Sequence, residues 1–216
     1  MKILVVGANG RMGQEMKMFL SSIGEIFFGI DKQTRQSVSI VPDVILDFSC
    51  ADALEQNLEL AKSFNVPIVI ATTNHSKDNM RLIKKHALIL PVFMSANFSI
   101  LFNLMKKLCE SVKGDFEYLL TETHHKNKKD KPSGSAKVII KKLNQNSIRP
   151  KVVCNRIGDV IGIHCLQIYS KCEKLELSHT AYSRQVFCMG AYKACEYILT
   201  KQKGLFGMED LLSDCL

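Results

Sequence analysis

Two stretches of this sequence set reactive residue types at spacings that chemistry can use. The first is Gly7-Ala8-Asn9-Gly10-Arg11-Met12-Gly13, a G-x-x-G-x-x-G run between an apolar stretch and a helical pattern. Glycines there permit a turn tight enough to bring backbone N–H groups to a pyrophosphate at a helix N-terminus. The spacing departs from G-x-G-x-x-G, so the run alone also fits a purely structural strand-to-helix turn. The second stretch is His124-His125-Lys126-Asn127-Lys128-Lys129-Asp130-Lys131, which leads into Pro132-Ser133-Gly134-Ser135. Three readings fit it: a solvated basic loop, a nucleic-acid patch, or an anion-binding catalytic site. Nucleic-acid binding asks for aromatic residues among the basic ones, and this segment contains none. An anion site would use Ser133, Gly134 and Ser135 as donors at a helix start, an arrangement suited to a carboxylate. In that reading a histidine delivers a proton while an ammonium group four residues on neutralises substrate charge, which singles out His124 and Lys128.

Elements must hold these residues in place. Residues 2–6 read as a strand, and Met12, Met16, Phe19, Leu20 and Ile23 form one stripe of a helix stopped by Gly24. A second strand, Ile26 to Ile30, ends at Asp31-Lys32, where the ribose of an adenosine would sit. Asp31 can accept from ribose hydroxyls, while Lys32 or Arg11 can pair with a 2′-phosphate. The stretch 32–42 is polar and too short for another packed helix. Further apolar strands are expected at 43–48, 66–71 and 88–93. Between them lie a helix opened by the capping-box spacing of Ser49 and Asp52, and another over 76–86. The polar breaks at Ser49, Thr72-Thr73 and Ser95–Asn97 all fall on one carboxyl edge, where open α/β sheets bind ligands. Taken with Asp31, that edge favours dinucleotide binding over the structural turn. Strands that are apolar throughout and alternate with helices predict a parallel sheet covered on both faces. From about residue 98 the pattern changes to a long helix (98–112), a strand (116–122), a helix from Ser133 to about Leu143, strands at 151–156, 163–170 and 174–179, and a last helix at about 183–200. That half reads as an α+β unit with a mixed or antiparallel sheet.

Composition narrows the partners. The 216 residues suit one large domain or two small ones, and 46% apolar with 23% charged residues excludes intrinsic disorder. No apolar run reaches the roughly 18 residues of a membrane span. Lys2 followed by a short apolar run predicts no secretory leader and therefore a cytoplasmic protein. Cysteine appears at eight scattered positions, with no C-x-x-C pair or ligand spacing. They read as reduced, buried small hydrophobes, and no metal is expected. The net charge of +8 fits an anionic small molecule, nucleic acid or an acidic membrane face. Much of it is spread in pairs such as Lys84-Lys85 and Lys106-Lys107; only 124–131 concentrates it.

These motifs resemble those of the dihydrodipicolinate reductases of bacterial lysine and diaminopimelate synthesis. The resemblance rests on the glycine run, Asp47-Phe48-Ser49, Thr72-Thr73, Ser95-Ala96-Asn97-Phe98-Ser99, the long segment from Glu122 to Ala136, and His179-x-Ala181-x-Ser183-Arg184-x-x-Phe187-x-x-Gly190-Ala191. It implies a Rossmann-like doubly wound parallel sheet, over residues 1–95 and 185–216, that binds the dinucleotide. It also implies an α+β domain with an open mixed sheet, over 96–184, that binds substrate and builds a homotetramer. The implied reaction is reduction of a cyclic dicarboxylate, 4-hydroxy-tetrahydrodipicolinate, by NADPH or NADH, with no nucleic acid or membrane as partner. Carried over by position, His124 is the general acid and Lys128 the second catalytic residue; His125, Ser133, Gly134 and Ser135 hold substrate. Gly7, Asn9, Gly10, Arg11, Met12, Gly13, Asp31, Lys32, Ala71, Thr72, Thr73, Ser95, Ala96, Asn97, Phe98, Arg184 and Phe187 line the cofactor. Two departures stand out: Asn74 and Leu101 occupy positions where the family usually carries glycine. The rival readings are another nicotinamide oxidoreductase and a non-catalytic dinucleotide sensor. The His/Lys segment argues against both.

Overall fold

The computed structural model describes residues 1–32 and 40–215, so the expectation for 32–42 falls largely outside the described residues. The chain divides into two compact units, residues 1–99 with 187–216, and residues 100–186.

The first unit is built on a six-stranded parallel sheet. Its strands are β1 (Lys2–Val6), β2 (Ile26–Ile30), β3 (Val44–Asp47), β4 (Ile68–Ile70), β5 (Pro91–Met94) and β10 (Gly204–Phe206). Their order is β10-β5-β4-β3-β1-β2. The chain leaves β1 towards β2 and then returns to its other side at β3, so the order reverses between β1 and β3. Helices α1 (Arg11–Ser22), α2 (Leu54–Phe64), α3 (Lys77–Ala87), α6 (Gln185–Ile198) and α7 (Met208–Cys215) complete the unit. Leu4, Ile45 and Ile68 pack with Leu54, Leu58 and Ile83 of α2 and α3. The alternate residues Ile3, Val5, Leu46, Val69 and Phe93 are as fully buried. Both faces of the sheet are therefore covered, which is why these strands are apolar without alternation.

Three local readings need correction here. Ser49 does not cap α2: a single 3-10 turn, Ala51–Ala53, precedes that helix, and the Ser49 hydroxyl donates instead to Asp47. The strand read at 88–93 begins only at Pro91, because Leu88 and Ile89 lie after α3 with 74% and 57% of their surface exposed. The helix ending near residue 200 is not the last element, since β10 pairs in parallel with β5 and α7 follows. Ser76, by contrast, caps α3 by accepting from the Asn79 N–H at 3.0 Å.

The second unit carries an open four-stranded sheet of β6 (Glu117–His124), β7 (Lys151–Arg156), β8 (Gly162–Tyr169) and β9 (Lys174–Ala181), in the order β7-β6-β8-β9. The β6–β7 pair is parallel, whereas β6–β8 and β8–β9 are antiparallel, so the sheet is mixed. Helices α4 (Ile100–Ser111) and α5 (Gly134–Gln145) cover one face through Phe102, Met105, Ile139 and Leu143. The other face is partly exposed and alternates with the buried one along β6 and β8. Of the cysteines, Cys109, Cys188 and Cys195 are buried, while Cys50 and Cys172 are exposed, contrary to a uniformly buried set.

Candidate functional site

In the first unit the carboxyl ends of the strands gather the predicted dinucleotide residues. Gly7 has φ +79°, a conformation that side chains rarely adopt, and a Cβ there would fall 2.8 Å from the backbone of Phe48 and Ser49. At Gly13 a Cβ would stand 2.2 Å from the Gly7 carbonyl oxygen, so α1 and the turn that follows β1 meet in direct backbone contact. Gly7 donates to the Ile30 carbonyl at 2.9 Å and Gly10 to the Gly7 carbonyl at 3.1 Å, which closes the turn. Gly10 is the N-cap of α1 and has no side chain to offer, so the helix opens without a side-chain cap. Its first N–H groups are the donors a phosphate takes up. Beside the turn lies a cavity of about 390 Å³ lined by Gly7, Gly10, Asp31, Lys32, Ser49 and Gln56. It sits where the strand order reverses, the position open α/β sheets use for ligands. The glycine cradle, the uncapped helix and this cavity fit a dinucleotide.

The remaining edge residues are ordered by hydrogen bonds of their own. Asp31 accepts the Asn9 N–H at 3.1 Å, while Lys32 and Arg11 are exposed. Thr72 pairs through its hydroxyl with His75 Nε2 at 3.0 Å, and Thr73 is exposed beyond it. Asn74 has φ +63°, a left-handed conformation that glycine favours and that asparagine tolerates better than most residues. Ser95 Oγ accepts from the Asn97 N–H at 3.1 Å, and Asn97 Oδ1 from the Ser99 N–H at 2.8 Å. Ala71 is half-buried, Ala96 exposed and Phe98 buried against Phe93. Phe187 belongs to this unit, whereas Arg184 belongs to the other. Beneath the edge, Asp47 is fully buried: Oδ1 accepts from Ser49 N and Oγ, and Oδ2 has no partner among the described residues. Burial pushes its carboxyl up, against the pull of the Ser49 hydrogen bonds.

In the second unit β6 brings Glu122 and His124 to the same buried face, two residues apart. Glu122 Oε2 pairs with His124 Nδ1, and Oε1 accepts from Arg156 Nη2 at 2.7 Å and from the Ser133 N–H at 3.3 Å. Burial works to raise the Glu122 carboxyl, yet the Arg156 guanidinium, the Cys154 thiol and His124 outweigh it and hold it at about 2. Burial lowers His124, with Glu122 opposing and Lys128 and Arg156 adding to the fall. His164 lies edge-on to His124 with ring centres 5.1 Å apart, and its Nε2 meets Ser133 Oγ at 3.3 Å. Burial first, then the neighbouring His124 and His179, bring it down to about 3, so it is neutral at physiological pH. Glu122, His124 and His164 present donor atoms within 4.8 Å of one another, a spacing a cation could bridge. The guanidinium already on the same carboxylate sets a fixed positive charge there and disfavours one.

The predicted substrate residues divide. Ser133 is the N-cap of α5, and its hydroxyl accepts from the Ala136 N–H at 3.2 Å, so that hydroxyl is committed within the fold. Gly134 is exposed with open space at its Cα, and Ser135 and His125 are half-buried. Lys128 is half-buried and bridges Asp130 at 2.8 Å. Leu101 is 67% exposed on the first turn of α4, where its bulk meets no packing constraint. Sequence reasoning did not single out Glu122, Arg156 or His164 as site residues. Glu122 was within reach, since the period of a strand puts it on the same face as His124. The other two arrive by strand pairing, which no local pattern announces.

Family models described as dihydrodipicolinate reductase, N-terminus and C-terminus, match residues 19–98 and 98–212. The 4-hydroxy-tetrahydrodipicolinate reductase of Clostridium novyi (strain NT) is 33% identical, with 98% of each chain covered. That of Thermosipho africanus (strain TCF52B) is 32% identical over 217 positions, with 99% of each covered. Among solved structures, dipicolinate-bound dihydrodipicolinate reductase from Paenisporosarcina sp. TG-14 has a TM-score of 0.79 at 19% identity, covering 97% of this chain and 98% of its own. A myo-inositol dehydrogenase from Corynebacterium glutamicum ATCC 13032 has a TM-score of 0.57 at 11% identity, over 94% of this chain and 90% of its own, a likeness of fold.

Proposed function

This chain belongs to the dihydrodipicolinate reductase family, and from that premise we propose that it reduces 4-hydroxy-tetrahydrodipicolinate to tetrahydrodipicolinate with NADPH or NADH, in lysine and diaminopimelate synthesis. The observation that carries the reading is the buried Glu122–His124 pair, which lies inside the matched segment and forms an oriented proton donor.

The first unit would hold the dinucleotide, with its pyrophosphate at the Gly7–Gly13 turn and its ribose near Asp31 and Lys32. Bound there, reduced nicotinamide supplies hydride to carbon of the conjugated ring left when water is lost. The rest is the work of side chains in the second unit. Glu122, ionised, accepts the Nδ1–H of His124 and so leaves Nε2 as the atom that carries the transferable proton. Burial disfavours the charged form of His124, but a substrate with two carboxylates brings negative charge beside it and favours the imidazolium. That proton completes the reduction as electron density moves towards the ring nitrogen. Lys128, held by Asp130, offsets negative charge on the substrate. The N–H groups at the start of α5, around Gly134 and Ser135, would receive a carboxylate, and the net charge of +8 favours encounter with a dianion.

A cytoplasmic homotetramer, assembled through the open face of the second unit's sheet, accompanies this reading. Among the described residues no helix is long and apolar enough to cross a membrane. Steady-state oxidation of NADPH and NADH by the purified chain with 4-hydroxy-tetrahydrodipicolinate tests the function. Absence of turnover with both nucleotides would overturn it.

A further inference from the structure

We propose that Arg156 is a positioning residue for this reaction: one guanidinium locks the carboxylate that backs His124 and the loop that carries Lys128. The inference rests on the roles given above to those two residues. Arg156 is the last residue of β7 and lies beside His124 in the parallel β6–β7 register. Its Nη2 donates to Glu122 Oε1 at 2.7 Å and to the Asp130 carbonyl at 2.5 Å, and its Nε donates to the Lys128 carbonyl at 3.1 Å. A planar fork can serve a carboxylate and two carbonyls of one loop at once, whereas an ammonium group is a single point charge without that geometry. Its side chain is only 7% exposed and that of Glu122 is fully buried, so solvent screens this ion pair little, while the two loop carbonyls lie nearer the surface. The chain of contacts runs from Arg156 to Glu122 to His124 Nδ1, and it turns Nε2 towards the space at Gly162, where a Cβ would stand 3.1 Å away.

Every element around His124 brings a group that bears on it. Glu122 comes from its own strand, Arg156 and Cys154 from β7, Lys128 from the following loop, His164 from β8 and, behind it, His179 from β9. The positive charges of Arg156 and Lys128 disfavour the imidazolium, and the carboxylate of Glu122 favours it. Replacing the guanidinium with a neutral group removes one repulsion and leaves the Glu122 charge less neutralised, so both changes raise the His124 pKa. A residue that only braced the loop would leave that titration where it is.

Charge and fork can be separated. Arg156→Lys keeps the charge and loses the fork; Arg156→Gln loses both. The test is NMR titration of the His124 ring in the full chain without ligands, alongside pH profiles of kcat and KM. In Arg156→Gln the His124 midpoint and the basic limb of kcat should rise by about one pH unit, the low end for a neighbouring charge. In Arg156→Lys the midpoint should stay within a few tenths of a unit, while kcat/KM falls on the order of 10-fold to 100-fold because Lys128 is no longer held in place. An unmoved His124 midpoint in Arg156→Gln overturns the inference. If that variant does not fold, wild-type kcat and KM in Arg156→Lys overturn it instead. The titration needs no turnover, so it judges Arg156 even if the wild-type chain fails to reduce the substrate, which would sink the proposed reaction alone.

Discussion

The two units build their candidate sites from different materials. In the first, the edge of the parallel sheet offers mostly main chain: a glycine turn, an uncapped helix start and loops tied by short-range hydrogen bonds. In the second, the centre is a buried cluster of ionisable side chains, Glu122, His124, His164 and Arg156, in which burial first and then neighbouring charge shift the carboxyl and the two imidazoles. A site made of backbone is sensitive to added atoms and nearly indifferent to proton concentration. A site made of buried charge is the reverse: substitutions of similar size are tolerated sterically, but any change of charge or pH is felt throughout.

The strongest test of that contrast is His124→Gln, which keeps hydrogen bonding but cannot deliver a proton. It should lower kcat by roughly 10²–10⁴-fold, the range for a lost general acid, and leave nucleotide affinity unchanged in direct titration. Loss of nucleotide binding would break the division of labour between the units. Next in size is Gly13→Ala, whose Cβ would meet the Gly7 carbonyl oxygen at 2.2 Å. Overpacking of this kind costs about 1–3 kcal/mol, read as a lower midpoint in urea. Nucleotide affinity should fall with it, while the pH profile of kcat keeps its shape. A Gly13→Ala chain as stable as wild type would show that α1 and the turn after β1 are not in the contact described.

Acid should separate the units without any substitution. His164 titrates at about 3 in the folded chain against an ordinary value of 6.5, because burial disfavours its charged form. Below pH 6.5 the unfolded chain takes up a proton that the folded unit refuses, so stability falls as pH drops towards 3. Glu122, held at about 2, adds a further loss between pH 4.5 and 2. Asp47 in the first unit has the opposite sign: its pKa is raised by burial, so its contribution is greatest at low pH and is lost as pH rises through its folded value. Hydrogen exchange at pH 7 and pH 4, corrected for intrinsic rates, should show β6 and β8 losing protection before β1 and β3. The reverse order would contradict it. The smallest effect is expected from Lys32→Ala, where an exposed phosphate contact worth about 1 kcal/mol should raise KM for NADPH several-fold and spare NADH. Equal loss for both nucleotides would place Lys32 away from the 2′ position.

Much of the first unit is legible in one dimension. β-branched runs closed by polar breaks gave five of its strands, and the Gly7–Gly13 run marks the turn after β1. Where local reading failed, packing decided. Leu88 and Ile89 look like strand but follow α3 as exposed residues, and the short β10 is a strand only because β5 offers it an edge. The capping-box spacing of Ser49 was real, yet the buried Asp47 carboxylate needed donors and claimed the hydroxyl. At position 74, where the family usually carries glycine, asparagine accepts the left-handed turn.

The second unit divides along the same line. Residue types and spacing determined the helix opened by Ser133, the strand read at 116–122, which in the structure runs on to His124, and the presence of a lysine four residues beyond that histidine, because capping and periodicity act over a few residues. Pairing decided what surrounds them. The β6–β7 register sets Arg156 beside His124, the β6–β8 register sets His164 opposite Glu122, and the β8–β9 register adds His179 opposite His164. A shift of one residue in any of these ladders would turn each side chain to the other face and dissolve the cluster. The sequence alone therefore established which groups could do chemistry. Which charge stands next to His124, and hence where its proton sits, was settled by closing loops of some thirty residues, contacts whose register depends on the packed sheet rather than on any local preference.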